Sequence, residues 1–400
     1  MEVVSVPDLG FERRLHREIG LWEGEGLITA DVAGVLRARY EEEARTGAKR
    51  KLAWVLAFLG ALLLGVGVIV FFAANWDVMP KFSKLLAAFT GIIACHACGF
   101  WLRYKKGTYP GTGTALIFLG TLLYGAAVFL IAQMLHINAN APILLVLWAV
   151  GAMPMAYLLK SRAMMVLGIL SLTVALGWDA VEWVDGDDPI HFISVFLAFG
   201  ALLFALGGLH ACFEPTKTHG NVYASLGSVI VFSAMIPLSY NESWMWSSGG
   251  QPGGHAMAVM GLVAAGAIIS ALCTMAFRGR SSTALREAIG AGCVAVVALL
   301  LFMMPDVGTG FSFVINVALL AMSVGLVVMG YARRETLWVN LGLLYFAVLV
   351  IVRYVDWCWE LLPTSAFFIG AGIVLVLGGL VLERARRKVT QEMKEARCDP

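Results

Sequence analysis

Polar residues that can bind a ligand follow several long apolar runs of this sequence. They stand where a run ends: Asn75, Trp76, Asp77, Gln133, His136, Arg353 and Asp356. Arginine keeps its proton, so Arg353 needs a carboxylate, water or an anionic group beside it, and Asp77 or Asp356 can supply the carboxylate. Together these residues predict either an outward-facing polar pocket for a small molecule or lipid, or a structural clamp around Arg353. The alternative is a set of anchors and helix caps that share no site.

No residue pattern in the sequence predicts catalysis. Neither a pair of carboxylates nor a nucleophile with a base stands at usable spacing, and no phosphate loop of the form Gly-x-x-x-x-Gly-Lys-Ser/Thr is present. Cys95, His96 and Cys98 resemble a metal motif, but on a helix His96 points about 100° away from Cys95. This spacing favours close packing of small residues instead. We therefore predict no enzyme activity, no cofactor and no metal.

The composition indicates what kind of protein holds these residues. Of the 400 residues, 60% are hydrophobic and only 14% are charged, and the mean hydropathy is +0.81. A soluble domain has about 45–50% apolar and about 25% charged residues. The composition excludes a soluble enzyme, a disordered chain and a nucleic-acid-binding protein. It predicts a multi-pass helical protein of the lipid bilayer.

Apolar runs separated by short polar breaks predict twelve membrane-spanning helices in an all-α transmembrane bundle. A span needs about 20 apolar residues. The runs cover residues 52–74, 85–102, 113–135, 141–159, 163–178, 191–213, 221–240, 255–277, 284–304, 311–331, 336–352 and 363–382. No Asp, Glu, Lys or Arg lies in the centre of a predicted span, which argues against a proton-coupled pump. Asn316 is predicted to hydrogen-bond a neighbouring helix.

Three regions are predicted: a cytoplasmic helical-hairpin module in residues 1–50, a transmembrane domain in 51–383, and a basic cytoplasmic tail in 384–400. In the first region Ile19 and Trp22 recur at helical spacing, Gly24 and Gly26 break the pattern, and Thr29 is suited to cap a second helix. A segment of ~35 residues rarely folds alone. The hairpin is therefore predicted to pack on the membrane domain or to bind a cytoplasmic protein partner; the alternative is an amphipathic lead-in to the first span.

The distribution of Lys and Arg predicts the orientation in the membrane. If the N-terminal region and every second loop face one side, that side holds 26 of the 29 Lys and Arg residues and the other side holds three. Loops on the cytoplasmic side of a membrane protein carry the excess of these residues. The sequence therefore predicts an even number of spans, both termini in the cytoplasm, and residence in a bacterial plasma (inner) membrane.

Several segments resemble a known family. They are Phe71-Phe72-Ala73-Ala74-Asn75-Trp76, the Ala-Gln-x-x-His-Ile pattern at 132–137, Arg-Tyr-x-Asp at 353–356, Leu-Glu-Arg-Ala-Arg-Arg at 382–387, and Gly-Leu-Ile at 26–28 after Trp22. These segments are similar to a bacterial family of predicted membrane proteins, domain of unknown function 2157. Leu135 and Val355 stand where the family often has Tyr and Phe. The resemblance implies the membrane architecture and brings no established activity.

The first functional hypothesis is a ligand-handling or transport protein. A lipid, glycan precursor or small solute would pass or bind at the outward-facing polar site. This hypothesis predicts a continuous cavity lined by Gln133, His136 and Arg353.

The alternative hypothesis is a non-transporting envelope sensor or scaffold. Its N-terminal hairpin would bind a cytoplasmic partner. This hypothesis predicts a closed helix bundle and an exposed apolar patch on the hairpin around Trp22, Ile28 and Tyr40.

Overall fold

The fold was obtained as a computed structural model. It describes residues 18–36, 38, 55–56, 59–60, 62–67, 70–71, 74, 80–107, 109–135, 142–183, 189–240, 253–278, 282–303, 310–358, 369–370, 372–373, 376 and 378–379. Within these residues the regular secondary structure is helical and no strand is present. The all-α prediction is therefore confirmed for the described part of the chain.

Ten of the described helices are long and apolar enough to cross a membrane. They are α1 Lys81–Phe100, α2 Pro110–Met134, α3 Pro142–Leu159, α4 Arg162–Trp183, α5 Pro189–His210, α6 Lys217–Leu238, α7 Gly254–Arg278, α8 Ser282–Met303, α9 Phe311–Arg333 and α10 Thr336–Cys358. Each coincides with a predicted span to within a few residues. The multi-pass architecture is thus confirmed, whereas the predicted spans 52–74 and 363–382 lie largely outside the described residues. The total of twelve stays a prediction.

The chain divides into two compact units, residues 1–152 and 153–400. In the first unit, α1 ends in a π-helical turn, Trp101–Lys105, and runs against α2 at two glycines. A methyl group added to Gly99 would lie 2.7 Å from the carbonyl oxygen of Gly113, so only glycine permits this approach. His96 packs against Gly120, and its Nδ1 lies 2.9 Å from the Ile92 carbonyl oxygen.

Two short helical segments lie near the N-terminus of the first unit, at residues 18–24 and 30–36. Gly26 joins them with a positive φ of 74°, and the Leu27 amide donates to the Trp22 carbonyl at 2.9 Å. Thr29 caps the second segment as predicted, since its hydroxyl accepts from the Val32 amide at 3.5 Å. A stable hairpin module and the region boundaries at 50 and 383 remain predictions.

The second unit is built around α5 and α6, which approach each other through glycines spaced seven residues apart. A methyl group added to Gly207 would lie 2.7 Å from the Gly220 carbonyl oxygen, and one added to Gly227 would lie 2.6 Å from the Gly200 carbonyl oxygen. Small residues allow such backbone contact, which drives helix association where water is absent. The largest side chains of the surrounding core, including Trp338 and Phe302, are fully buried.

Helices α9 and α10 form an antiparallel pair with a tight connection. Arg334 adopts the left-handed conformation with φ of 56°, and the Glu335 amide donates to the Gly330 carbonyl at 3.0 Å. This closes the end of α9 in the manner expected of a helix C-terminus. Arg353 lies near the other end of this pair, in the last turns of α10.

Candidate functional site

The residues predicted to form the polar pocket fall into three groups. Asn75, Trp76, Asp77 and His136 lie outside the described residues. Gln133 is exposed in the last turn of α2, in the first unit, and the Lys81 ammonium donates to the neighbouring Met134 carbonyl at 3.4 Å. Arg353 and Asp356 are both described and belong to the second unit. A shared pocket of all seven residues therefore stays a prediction.

Arg353 is the best-defined residue of the predicted site. Its Nη1 donates to Asp356 Oδ2 at 2.6 Å, one turn along α10, and its Nη2 donates to the hydroxyl of Ser239. The guanidinium carbon lies 4.9 Å from the ring centroid of Tyr240, a cation–π distance. The side chain of Arg353 is 14% exposed and that of Asp356 is 28% exposed. Of the two acids that the sequence offered Arg353, Asp356 is therefore a partner in the structure.

Backbone geometry at the end of α6 explains why Ser239 and Tyr240 are available to Arg353. The helix ends just after Pro237, which leaves carbonyl groups without partners inside the helix. Two residues of α9 supply them: Ser312 donates to the Tyr240 carbonyl at 2.8 Å, and Asn316 donates to the Ser239 carbonyl at 2.9 Å. The prediction that Asn316 bonds to a segment of a neighbouring helix is confirmed.

We refer to these six residues of α6, α9 and α10 and the turn after α6 as the Arg353 cluster: Ser239, Tyr240, Ser312, Asn316, Arg353 and Asp356. Its charges cancel, and the terminal nitrogens of Arg353 are engaged within the protein. Only the Nε of Arg353 lacks a hydrogen-bond partner among its nitrogens. Chemically the arrangement joins three helix ends, which is the role of a structural clamp.

A second group of polar side chains was not predicted from the sequence. It lies at the end of α3, the end of α5 and the start of α6, and we call it the His–Tyr cluster: Tyr157, His210, His219 and Tyr223. The Tyr157 hydroxyl is 2.7 Å from His210 Nε2 and 3.0 Å from the Tyr223 hydroxyl. The His219 ring meets the Tyr157 ring edge-on at a centroid distance of 5.1 Å and is fully buried.

The positions of these four residues in the sequence do contain a hint of the His–Tyr cluster. Each of its residues stands near the end of a predicted span, and the alternation of spans places all those ends on one side of the membrane. The residues predicted to form a site all stand at the opposite ends of the spans, on the side of Arg353. Histidine and tyrosine at membrane edges also have a common structural role, so the pattern alone carries little information.

Two carboxylates near the helix ends at this side of the second unit also have partners. Glu287, near the start of α8, forms an ion pair with Arg333, whose guanidinium lies 5.7 Å from the Trp338 ring centroid. Glu335 accepts from the Trp338 indole at 2.9 Å and from the Asn221 amide at 3.2 Å. These contacts fix α6, α8, α9 and α10 to one another. Among the described residues no group of three His, Cys, Asp or Glu side chains could hold a metal ion.

Comparison with known protein families gives a match. Residues 20–165 match the model of a family described as predicted membrane protein (DUF2157). The resemblance is thereby confirmed for these residues, while the Arg-Tyr-x-Asp segment at 353–356 and the segment at 382–387 lie outside the match. No curated protein and no solved structure matches the chain.

Proposed function

We propose, taking the match of residues 20–165 to that family of predicted membrane proteins as the premise, that this multi-pass protein is a non-transporting envelope sensor or scaffold without enzymatic activity. The observation that carries the proposal is the engagement of Arg353. A ligand at the outer site needs its guanidinium, but Asp356, Ser239 and Tyr240 occupy that group and leave its side chain 14% exposed. The arrangement supports a closed bundle.

The N-terminal segment independently supports the same proposal. Four large apolar side chains between residues 18 and 38 are exposed: Leu21, Leu27, Val32 and Val35. Leu27 and Val35 are each 69% exposed, whereas Ile19 and Ala33 are buried. Trp22 and Ile28, around which the patch was predicted, are half-buried, and Tyr40 lies outside the described residues. An apolar surface of this kind in a polar segment suits contact with a protein partner.

The location assigned to that partner is the cytoplasm. The 26-to-3 distribution of Lys and Arg supports cytoplasmic termini in a bacterial plasma membrane. Fluorescent protein fused after residue 400 should fold and fluoresce, and alkaline phosphatase fused within the acidic loop at 184–188 should be active. Phosphatase activity at residue 400 would place the C-terminus outside and overturn the orientation.

Site-specific photo-cross-linking in intact cells tests the scaffold proposal. A photoreactive amino acid replaces Leu27 or Val35, and the matched control carries it at Glu25, an exposed polar position of the same segment. We expect one discrete protein adduct from positions 27 and 35, with little or none from position 25. Equal labelling at all three positions, or adducts with lipid alone, would contradict a protein partner at this surface.

Ligand handling remains the second candidate, and specific observations favour it. Asp356 keeps 28% of its side chain exposed, and the Nε of Arg353 has no hydrogen-bond partner. These groups could receive a phosphate-bearing lipid, a glycan precursor or a small polar solute. This candidate requires a molecule that co-purifies with the wild type and is lost when Arg353 is replaced.

A further inference from the structure

The hydrogen-bond directions in the His–Tyr cluster follow from one contact. His210 Nδ1 lies 2.7 Å from the Leu206 carbonyl oxygen, and a carbonyl can only accept, so Nδ1 carries a proton. In the neutral ring Nε2 is then an acceptor, and the Tyr157 hydroxyl must donate to it across 2.7 Å. The Tyr223 hydroxyl in turn donates to the Tyr157 oxygen across 3.0 Å. In this hydrogen-bond chain every hydroxyl donates in the same direction, from Tyr223 to Tyr157 and from Tyr157 to His210.

Adding one proton reverses this direction without moving a heavy atom. When His210 is protonated, both of its ring nitrogens donate, so Nε2–H now donates to the Tyr157 oxygen. Tyr157 keeps one proton, which turns toward the Tyr223 oxygen, and the Tyr223 hydroxyl hydrogen turns away from Tyr157. One proton from solvent has been gained, each tyrosine still carries one proton, and the charge of the cluster has risen from zero to plus one.

A positive charge on His210 would act on a buried neighbour of the hydrogen-bond chain, the ring of His219. His219 is fully buried against Tyr157, and neither of its ring nitrogens makes a hydrogen bond of normal geometry, although the Ala156 backbone interacts with the ring. The cationic groups facing it are His210, Arg162 and Lys160.

The turn between His210 and His219 also carries an exposed ion pair of Lys217 with Glu214. From α7, Thr274 contacts Gly208 of α5 and does not titrate. The His210 and Tyr223 rings stack at a centroid distance of 4.7 Å.

We propose that the His–Tyr cluster is a proton-binding site at the membrane edge that carries Lys160, Arg162 and Lys217. His210 accepts the proton, Tyr157 and Tyr223 relay the change through their hydroxyls, and His219 is the buried neighbour that senses the new charge. The site joins α3, α5 and α6, so protonation acts on the helix pair at the centre of the second unit. This role is independent of the scaffold proposal, and a site confined to one edge fits proton sensing and not proton pumping.

Nuclear magnetic resonance of the full chain in nanodiscs tests this proposal. The protein carries ¹⁵N-histidine and ¹³Cζ-tyrosine, and Tyr157→Phe, Tyr223→Phe and His210→Gln variants assign the signals. We expect His210 in the Nδ1–H tautomer at high pH and a doubly protonated ring at low pH. The ¹³Cζ signals of Tyr157 and Tyr223 should move with the same midpoint as His210.

The decisive comparison is between two tyrosine variants. In Tyr157→Phe the Tyr223 signal should move less with the protonation of His210 than in the wild type, because the hydroxyl relay is broken and only the direct ring contact remains. Tyr345→Phe removes a different hydroxyl, which lies 3.1 Å from Ser228, and should leave the coupling intact. An Nε2–H tautomer, a His210 ring that does not titrate, or tyrosine signals that do not move with it in the wild type would overturn the proposal. The wild-type outcomes need no variant to fold.

Discussion

The Arg353 cluster and the His–Tyr cluster hold the two ends of α6 by different chemistry. At the C-terminal end, the fixed charge of Arg353 is matched by Asp356, Ser239 and Tyr240. At the N-terminal end, hydrogen bonds join Tyr157, His210 and Tyr223, and the nitrogens of the adjoining His219 ring make no hydrogen bond of normal geometry. The comparison shows two uses of a polar cluster at a membrane edge. A fixed ion pair holds helices together, whereas a chain of hydroxyl and imidazole groups can also bind a proton and change its hydrogen-bond directions.

Removal of the fixed charge should have the largest effect on stability. Arg353→Ala leaves the Asp356 carboxylate without its partner in a mostly buried position, and breaking such a pair costs about 3 kcal/mol. Thermal unfolding in nanodiscs measures the loss. Lys217→Ala is the control, because its pair with Glu214 is exposed and surface pairs contribute little. An effect of Arg353→Ala no larger than the control would contradict the clamp.

A charge-free double variant sharpens the same comparison. In Arg353→Met with Asp356→Leu no buried charge remains, so we expect part of the lost stability to return. A double variant that is as unstable as the sum of its single variants would show that the two residues act independently.

The backbone contact of α5 and α6 should give the next largest effect. Gly207→Val places a side chain 2.7 Å from the Gly220 carbonyl and forces the helices apart, at a cost of about 2 kcal/mol. Because Gly207 lies one turn before His210, the His210–Tyr223 stack should also be disturbed. Gly261→Val is the matched control, since a methyl group there meets nothing within 4 Å. Equal unfolding temperatures for the two variants would contradict close packing at Gly207.

Loss of a single hydroxyl from the His–Tyr cluster should have the smallest effect. Tyr157→Phe removes two hydrogen bonds and should destabilise the protein by about 1 kcal/mol. Tyr345→Phe removes one hydrogen bond, to Ser228, and serves as the comparison. A proton-binding cluster needs little stabilisation from its hydrogen bonds. If Tyr157→Phe lowered the free energy of unfolding as much as Arg353→Ala does, the two clusters would not differ in the way proposed.

The helices could be predicted well because the membrane imposes a simple rule. A helix that crosses lipid must be apolar over its length, so composition alone located α1 to α10 to within a few residues. Their packing was not predictable in the same way. Glycines are frequent throughout the sequence. Nothing in the pattern distinguishes Gly207, which contacts the backbone of α6, from Gly261, where an added methyl group would meet no described atom within 4 Å.

The candidate site could be predicted only in part, for a physical reason. The sequence offered Arg353 two acids, and the pairing with Asp356 follows from helical spacing, since residues three apart share a face. The hydrogen bond to Ser239 and the cation–π contact with Tyr240 depend on where α6 ends and how α9 approaches it, which the sequence pattern does not contain. The His–Tyr cluster likewise requires three helix ends to meet, and Tyr157 is more than fifty positions from His210 and Tyr223.

Native mass spectrometry of the protein in nanodiscs tests most directly whether the outer site is closed. The wild type is compared with an Arg353→Ala, His136→Ala double variant, and an unfolding scan of each sample shows that both are folded at the temperature used. The proposed scaffold function predicts the same set of bound lipids in both proteins and a lower unfolding temperature for the variant. A specific lipid or metabolite bound to the wild type and absent from the folded variant would contradict it and establish a ligand-handling protein.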